Sequence, residues 1–267
     1  MKVKILKIWK THNKLVNKIE YPEPAMVRMG YGWNKNADNN KLVINSYNAI
    51  ITCINKWETK KTWLNNNINT PAAYYYDKEN NKVRSVTEYD VIEPKTFAEN
   101  RLPIIQKLAG QRRWGEGMKL INTKKKFMNS LKNYEHKKYY ELFFNYPNEY
   151  RVHVSLLGEV HAAQKIQWKK QKNKWCYDSR TIDFTSYFKI PKWWDKMIME
   201  CIKAIKLIKL DIGGFDIKGD NNDFTILEVN SAPSLSETSG NKYIVHIPRL
   251  LDFKYKQHDG RTCYKEN

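Results

Sequence analysis

Residues 213–235, GGFDIKGDNNDFTILEVNSAPSL, constrain this chain more than any other stretch. The pattern predicts two short strands joined by the polar turn Gly219–Asp223. Side chains alternate faces along a strand, so Glu228 and Asn230 point the same way. Folding back brings Asp216 of the first strand toward that face. The remaining positions are apolar: Phe215, Ile217, Ile226, Leu227 and Val229. Two carboxylates and an amide oxygen, converging without His or Cys, are the hard donors that suit magnesium, and magnesium of that kind commonly holds nucleotide phosphates. The same residues also suit a plain hairpin whose carboxylates face water.

At 267 residues the chain can form one large domain or two small ones, and its 41% hydrophobic content suffices for a core. A formal net charge of +19 attracts polyanions: nucleic acid, anionic membrane, acidic peptides or nucleotides. The abundance of Lys, Asn and Ile equally fits a compositional bias of the source genome. Cys53, Cys176, Cys201 and Cys263 show no CxxC spacing, which excludes a disulfide framework and a zinc knuckle. The N-terminal MKVKILKIWKTHNK is interrupted by Lys every few residues and offers no signal-peptide core. No run reaches membrane-spanning length. The expected location is the cytoplasm, in soluble form and without a membrane partner. His12, His136, His153, His161, His246 and His258 lack metal spacing and are read as structural or exposed.

Along the chain, Lys2–Trp9 predicts a strand and Tyr31–Asn40 a loop. Helical spacing covers Asn45 to Asn66, with Ile50, Ile54, Trp57 and Leu64 near one face. Strands are expected at Ala72–Tyr76, Val86–Val91, Pro103–Leu108, Met118–Asn122 and Tyr139–Phe144. Thr96–Asn100 and Thr123–Asn133 read as helices, the second with Phe127, Met128 and Leu131 inward. Glu149–Leu156 and Glu159–Ile166 form a hairpin. Trp193–Ile208 is the clearest helix, with Trp194, Met197, Cys201, Ile205 and Ile208 in one stripe. Lys242–Phe253 is a final helix. Antiparallel strand pairs separated by single helices predict an α+β architecture rather than a doubly wound sheet.

Lys107 lies inside the apolar run PIIQKL, where a buried lysine requires a negative partner such as a phosphate. The loop that follows, GQRRWGEG, offers backbone N–H groups at Gly110, Gly115 and Gly117 that can cradle phosphate oxygens. A surface hairpin with Lys107 on the wet face fits the same residues. Arg112 and Arg113 add cations for a phosphate or an anionic substrate, or are simply solvated. Arg151, on a strand with Val152 and Val154, can clamp a carboxylate or an acyl phosphate, or pair across strands at the surface. Lys165 on the partner strand carries the same two readings. No Walker A loop, first-strand GxGxxG or nucleophile elbow is present.

Taken in order, these pieces resemble the ATP-grasp superfamily, most closely its RimK-like carboxylate–amine ligases. NSYNAIITCINKWETKKTWLNNNINTP resembles the family segment whose lysine contacts phosphate, which implies that role for Lys56. PIIQKLAGQRRWGEGM resembles the strand with a second phosphate lysine, Lys107, and a mobile glycine-rich loop. YYELFF resembles the hinge strand that holds adenine through backbone groups around Glu141, Leu142 and Phe143. NEYRVHVSLLGEVHAAQKI resembles the segment with an acidic ribose contact, Glu149, and an arginine, Arg151. GGFDI and LEVNSAP resemble the two metal strands of Asp216, Glu228 and Asn230.

The resemblance implies an ATP-grasp fold of two α+β lobes with a reduced N-terminal segment: 1–44 as that segment, 45–140 and 141–253 as the lobes, and 254–267 as a basic tail. It implies ATP and two magnesium ions as cofactors. It implies a ligase that joins an amino acid or other small carboxylate to an amine on a peptide, protein or modified nucleic acid, making the amide through an acyl phosphate and releasing ADP, with Lys107 and Arg151 in catalytic roles. The loop after the metal strand, with Ser231 and Ser234, is expected to orient the substrate carboxylate, alongside Arg112 and Arg113. The charge favours an amine acceptor on a polyanion, either nucleic acid or an acidic peptide, because 168–175, Arg112–Trp114 and the tail mix cations with aromatics. A homodimer fits the superfamily. The competing functions are a basic nucleic-acid-binding module with non-catalytic nucleotide binding, and an ATP-grasp kinase.

Overall fold

The computed structural model describes residues 1–7, 13, 15, 17–30, 36, 42–108, 118–135, 138–168 and 182–258; side chains at 167, 168, 182–184 and 258 are excepted. Three sheets organise these residues.

The first sheet is parallel, in the order β1 (Lys4–Lys7), β2 (Ala25–Met29), β3 (Leu42–Ile44). Sequence patterning predicts only one strand here, yet Val3, Val27, Met29 and Ile44 build a core against the last helix, α6 (Glu237–His258). That helix is longer than the expected Lys242–Phe253 and runs through Pro248. The start of the expected basic tail is therefore helical, and Lys254 Nζ binds both Asp211 carboxylate oxygens at 2.8 Å.

Next come two helices, α1 (Tyr47–Ile54) and α2 (Lys56–Asn65), where periodicity predicts one. Asn55 divides them. It ends α1, and its side chain accepts from the Glu58 N–H to cap α2. Both helices pack into the core of the five-stranded sheet through Ala49, Ile50, Cys53 and Trp63.

The six-stranded sheet has the order β6 (Val91–Ile92), β5 (Lys82–Ser85), β4 (Ala73–Asp77), β9 (Lys138–Leu142), β7 (Ile104–Leu108), β8 (Lys119–Ile121). Helices α3 (Pro94–Arg101) and α4 (Lys124–Lys132) cover one face with Phe97, Phe127 and Leu131. Met128 faces outward, against expectation. The strand expected over Val86–Val91 falls earlier, at β5. Residues 86–90 form the turn into β6, with Glu88 at φ 64°.

The five-stranded sheet is antiparallel: β12 (Ile182–Thr185), β11 (Val160–Trp168), β10 (Asn148–Ser155), β13 (Ile212–Gly219), β14 (Phe224–Asn230). Helix α5 (Trp194–Leu207) backs it, burying Met197, Cys201 and Ile205 as the stripe predicts.

Candidate active site

Strand register assembles the site. Arg151, Asp216 and Glu228 are direct cross-strand neighbours on β10, β13 and β14; His153, Gly214 and Asn230 form the next row. Tyr150, Val152, Phe215 and Ile217 alternate with them and face the α5 core. Ile226 and Glu228 are two apart, so a regular strand would put both on one face. A bulge leaves Leu227 unpaired between them, so Ile226 opposes Ile217 in the core while Glu228 opposes Asp216 in the site.

Arg151 holds Asp216 with both prongs, Nε to Oδ1 at 2.7 Å and Nη2 to Oδ2 at 2.8 Å. The Asn230 amide nitrogen donates to Asp216 Oδ2 at 3.4 Å and to Glu228 Oε1 at 3.2 Å. Burial pushes the Asp216 carboxyl up, against Arg151, and the neighbouring Glu228 charge adds to the rise. Burial acts on Glu228 in the same direction. There the cations Lys56 and Lys107, with the Asn230 hydrogen bond, outweigh it and hold the carboxyl down.

Helix α2 lies along the open edge of β14 and supplies what a neighbouring strand would. Lys56 Nζ donates to Val229 O at 2.7 Å and Lys60 Nζ to Leu227 O at 3.2 Å. Thr70 Oγ1 donates to Ile226 O at 2.7 Å. Lysines four apart share a helix face, so both reach the same strand. Lys56 Nζ also lies 3.8 Å from Glu228 Oε2.

Across the cleft, Glu141 of β9 sits between two lysines: Lys107 Nζ at 2.7 Å and Lys60 Nζ at 3.3 Å. Lys56, Lys60, Lys107, Tyr139, Glu141 and Glu228 line one narrow opening. Burial lowers Lys60 to about 8, with Glu141 opposing and Lys107 assisting. Burial also opposes the charge on Glu141 and on Lys107, but their mutual attraction wins. Glu141 titrates below and Lys107 above its ordinary value. Glu149, next along β10, is pushed up to about 7 by burial, against Lys218.

No protein-family model matches the sequence, and no curated protein matches it. Solved structures do. The chain aligns with the D-alanine–D-alanine ligase of Bacillus anthracis complexed with ATP at a TM-score of 0.61 and 12% identity, over 97% of this chain and 98% of that one. It aligns with the ATP-grasp ligase PsnB complexed with a minimal precursor at 0.57 and 17%, over 89% and 80%. This is the ATP-grasp fold. The macrocyclase MdnC, bound with precursor peptide MdnA from Microcystis aeruginosa, matches at 0.53 and 14%, over 78% of this chain and 65% of that one. The present chain spans 63% of the PsnB chain in a second structure, which holds Mg and ADP.

Within the ATP-grasp frame, the structure brings together Lys56, Lys107, Glu141, Glu149, Arg151, Asp216, Glu228 and Asn230. Lys165 does not join them. It is the cross-strand partner of Tyr150, whose ring packs toward α5, so strand alternation turns Lys165 to the far face, and Gln164 takes the position beside Arg151. The N–H groups of Leu142 and Phe143 already donate to Ala72 O and Pro103 O, and the Glu141 side chain is spent on lysines. Ser231 is buried beside Cys53, whereas Ser234 is exposed. Gly110, Arg112, Arg113, Gly115 and Gly117 lie outside the described residues, as do most of 168–175 and 259–267.

Lys60 went unnoticed in the sequence; its signal was the four-residue spacing from Lys56 on one helix. Lys218 was missed too. It stands opposite Glu149, with its ammonium 5.4 Å from the centre of the Phe143 ring.

Among the described residues no cluster of three His, Cys, Asp or Glu is set to hold a metal. The donor set is two carboxylates and an amide. It fits magnesium once the Asn230 amide turns its oxygen toward the carboxylates. In the present arrangement that oxygen faces Lys56, 3.5 Å from Nζ.

Proposed function

We propose that this chain is an ATP-dependent carboxylate–amine ligase that releases ADP and phosphate. One observation carries the reading: the lysines Lys56, Lys60 and Lys107 line a single cleft with Glu228, whose cross-strand neighbour is Asp216. Cations from both sides of the cleft suit a polyphosphate, and the carboxylates beside Lys56 suit its counter-ion.

The six-stranded sheet with α3 and α4, and the five-stranded sheet with α1, α2 and α5, act as the two lobes with nucleotide between them. The division falls away from the expected bounds 45–140 and 141–253, because α1 and α2 pack on the second sheet and β9 completes the first. Lys56 and Lys107 bind phosphate oxygens, and Lys107 must then share its charge between phosphate and Glu141. Asp216, Glu228 and Asn230 would hold magnesium, which neutralises charge that builds up on transferring phosphate oxygens. Glu149 and Lys218, facing one another at the sheet end, are placed for the ribose. A substrate carboxylate takes the γ-phosphoryl group, and an amine then displaces phosphate to form the amide. The Arg151 fork orients Asp216 and opposes the burial that pushes its carboxyl up, and its cation lies beside the developing negative charge.

PsnB and MdnC are described with precursor peptides, and this chain carries +19 formal charges. The charge favours a polyanion, and the neighbours' peptides favour an acidic peptide over a nucleic acid. No helix among the described residues is long and apolar enough to cross a membrane.

The test is a screen of MgATP with carboxylates, amino acids and acidic peptides, in the presence of hydroxylamine. The expected result is a hydroxamate together with ADP. AMP release, or a stable phosphorylated product with no hydroxamate, refutes the ligase reading.

A further inference from the structure

We propose that Lys60 is a positioning residue that sets the spacing between the phosphate-side Lys107 and the metal-side Glu228. The inference rests on the nucleotide reading above and goes beyond it, because Lys60 itself need not touch the nucleotide.

Lys60 belongs to α2, which packs into the core of the five-stranded sheet, whereas Glu141 belongs to the six-stranded sheet. Their ion pair joins the two sheets, with both side chains only 3% exposed. The same ammonium donates to Thr70 Oγ1 at 2.6 Å and to Leu227 O at 3.2 Å. The ammonium thus donates two hydrogen bonds and meets Glu141 Oε1 as an ion pair at 3.3 Å.

Two of these partners control the chemistry on either side. Leu227 is the bulge residue that turns Glu228 into the site, so Lys60 pins the backbone feature on which the position of Glu228 depends. Glu141 is the carboxylate that binds Lys107 at 2.7 Å, so Lys60 also draws on the counter-charge that Lys107 would otherwise hold alone. Without Lys60, Glu141 closes fully on Lys107 and competes with phosphate for it. The bulge carbonyl also loses its donor at a buried position, which loosens the register next to Glu228.

A lysine with only a structural role would change stability and leave ligand affinity unchanged once the protein is folded. The two roles separate in a titration of ADP into the full chain at 10 °C, with and without Mg2+, for wild type, Lys60→Met, Lys60→Arg and Lys60→Met/Glu141→Gln. Circular dichroism confirms the folded state of each. Lys60→Met is expected to weaken ADP binding in Mg2+ by about tenfold or more, with a smaller loss when Mg2+ is absent. Adding Glu141→Gln is expected to recover a severalfold part of that loss, because the competitor for Lys107 is gone. Lys60→Arg keeps the charge but not the geometry and is expected to lose the Mg2+-dependent gain, which keeps the test open if Lys60→Met does not fold. Wild-type affinity in Lys60→Met or Lys60→Arg, or a double variant no better than Lys60→Met, overturns this inference alone. A wild-type chain that binds no ADP overturns the nucleotide reading, and the inference with it.

Discussion

Arg151 and Asp216 face each other across β10 and β13 and are joined by two parallel hydrogen bonds of 2.7 and 2.8 Å. The sequence leaves Arg151 as a clamp for a carboxylate or acyl phosphate, or as one half of a cross-strand pair. Register makes the cross-strand pair, with Asp216, and thereby ties the arginine to a candidate metal carboxylate.

Removing Arg151 leaves a buried carboxylate without its cation. Arg151→Met is expected to cost about 3–5 kcal/mol of stability at pH 7, and adding Asp216→Asn is expected to restore much of it. Arg151→Lys should recover little, since a point charge cannot reproduce the fork. Urea unfolding of the three variants checks this, and equal stability of Arg151→Met and wild type counts against the pairing.

Glu228 is the more open of the two carboxylates, with its side chain 36% exposed. Glu228→Gln is expected to change stability by less than about 1 kcal/mol. It should, however, abolish the gain in ADP affinity that Mg2+ provides. An intact Mg2+ response in this variant removes Glu228 from the metal site.

Glu149 gives a pH signature. Its carboxyl is pushed from 4.5 up to about 7, chiefly by burial, so the folded chain holds this proton more tightly than the unfolded chain. Its contribution to stability is fully present below about pH 4.5 and is lost as pH rises through 7. Glu149→Gln removes that slope. The variant should gain on wild type between pH 5 and pH 8, by no more than about 3 kcal/mol. Unfolding free energies at the two pH values decide it, and a constant difference refutes it.

Gly214 explains part of the GGFDI run. A Cβ there would stand 2.6 Å from Pro233 Cβ, in the loop that leaves β14. Gly214→Ala is expected to cost about 1–3 kcal/mol and to displace that loop. Calorimetric melting shows the first effect, and faster proteolysis within 231–236 the second. A melting temperature unchanged from wild type contradicts the close packing.

Local pattern made much of this legible. The α5 stripe of Met197, Cys201 and Ile205, the hairpin of β10 and β11, and the alternation of Glu228 with Asn230 all arise from side-chain periodicities that a short segment expresses by itself. The three parallel strands at the N-terminus were largely illegible, because their pattern closes only against α6, more than 200 residues later.

The sequence by itself determined which atoms were available: oxygen donors near the C-terminal end, an apolar-strand lysine at 107, and helices and strands to carry them. Tertiary structure decided which atoms meet. It turned Lys165 away, gave Arg151 to Asp216, switched Glu228 to the working face through one unpaired residue, and enlisted Lys60. Each of these outcomes depends on strand register and on contacts between distant segments. A one-residue change in register reverses the face of every side chain that follows. The apolar alternation specifies most of that register, but the bulge at Leu227 and the contacts with α2 are settled only in the assembled sheet.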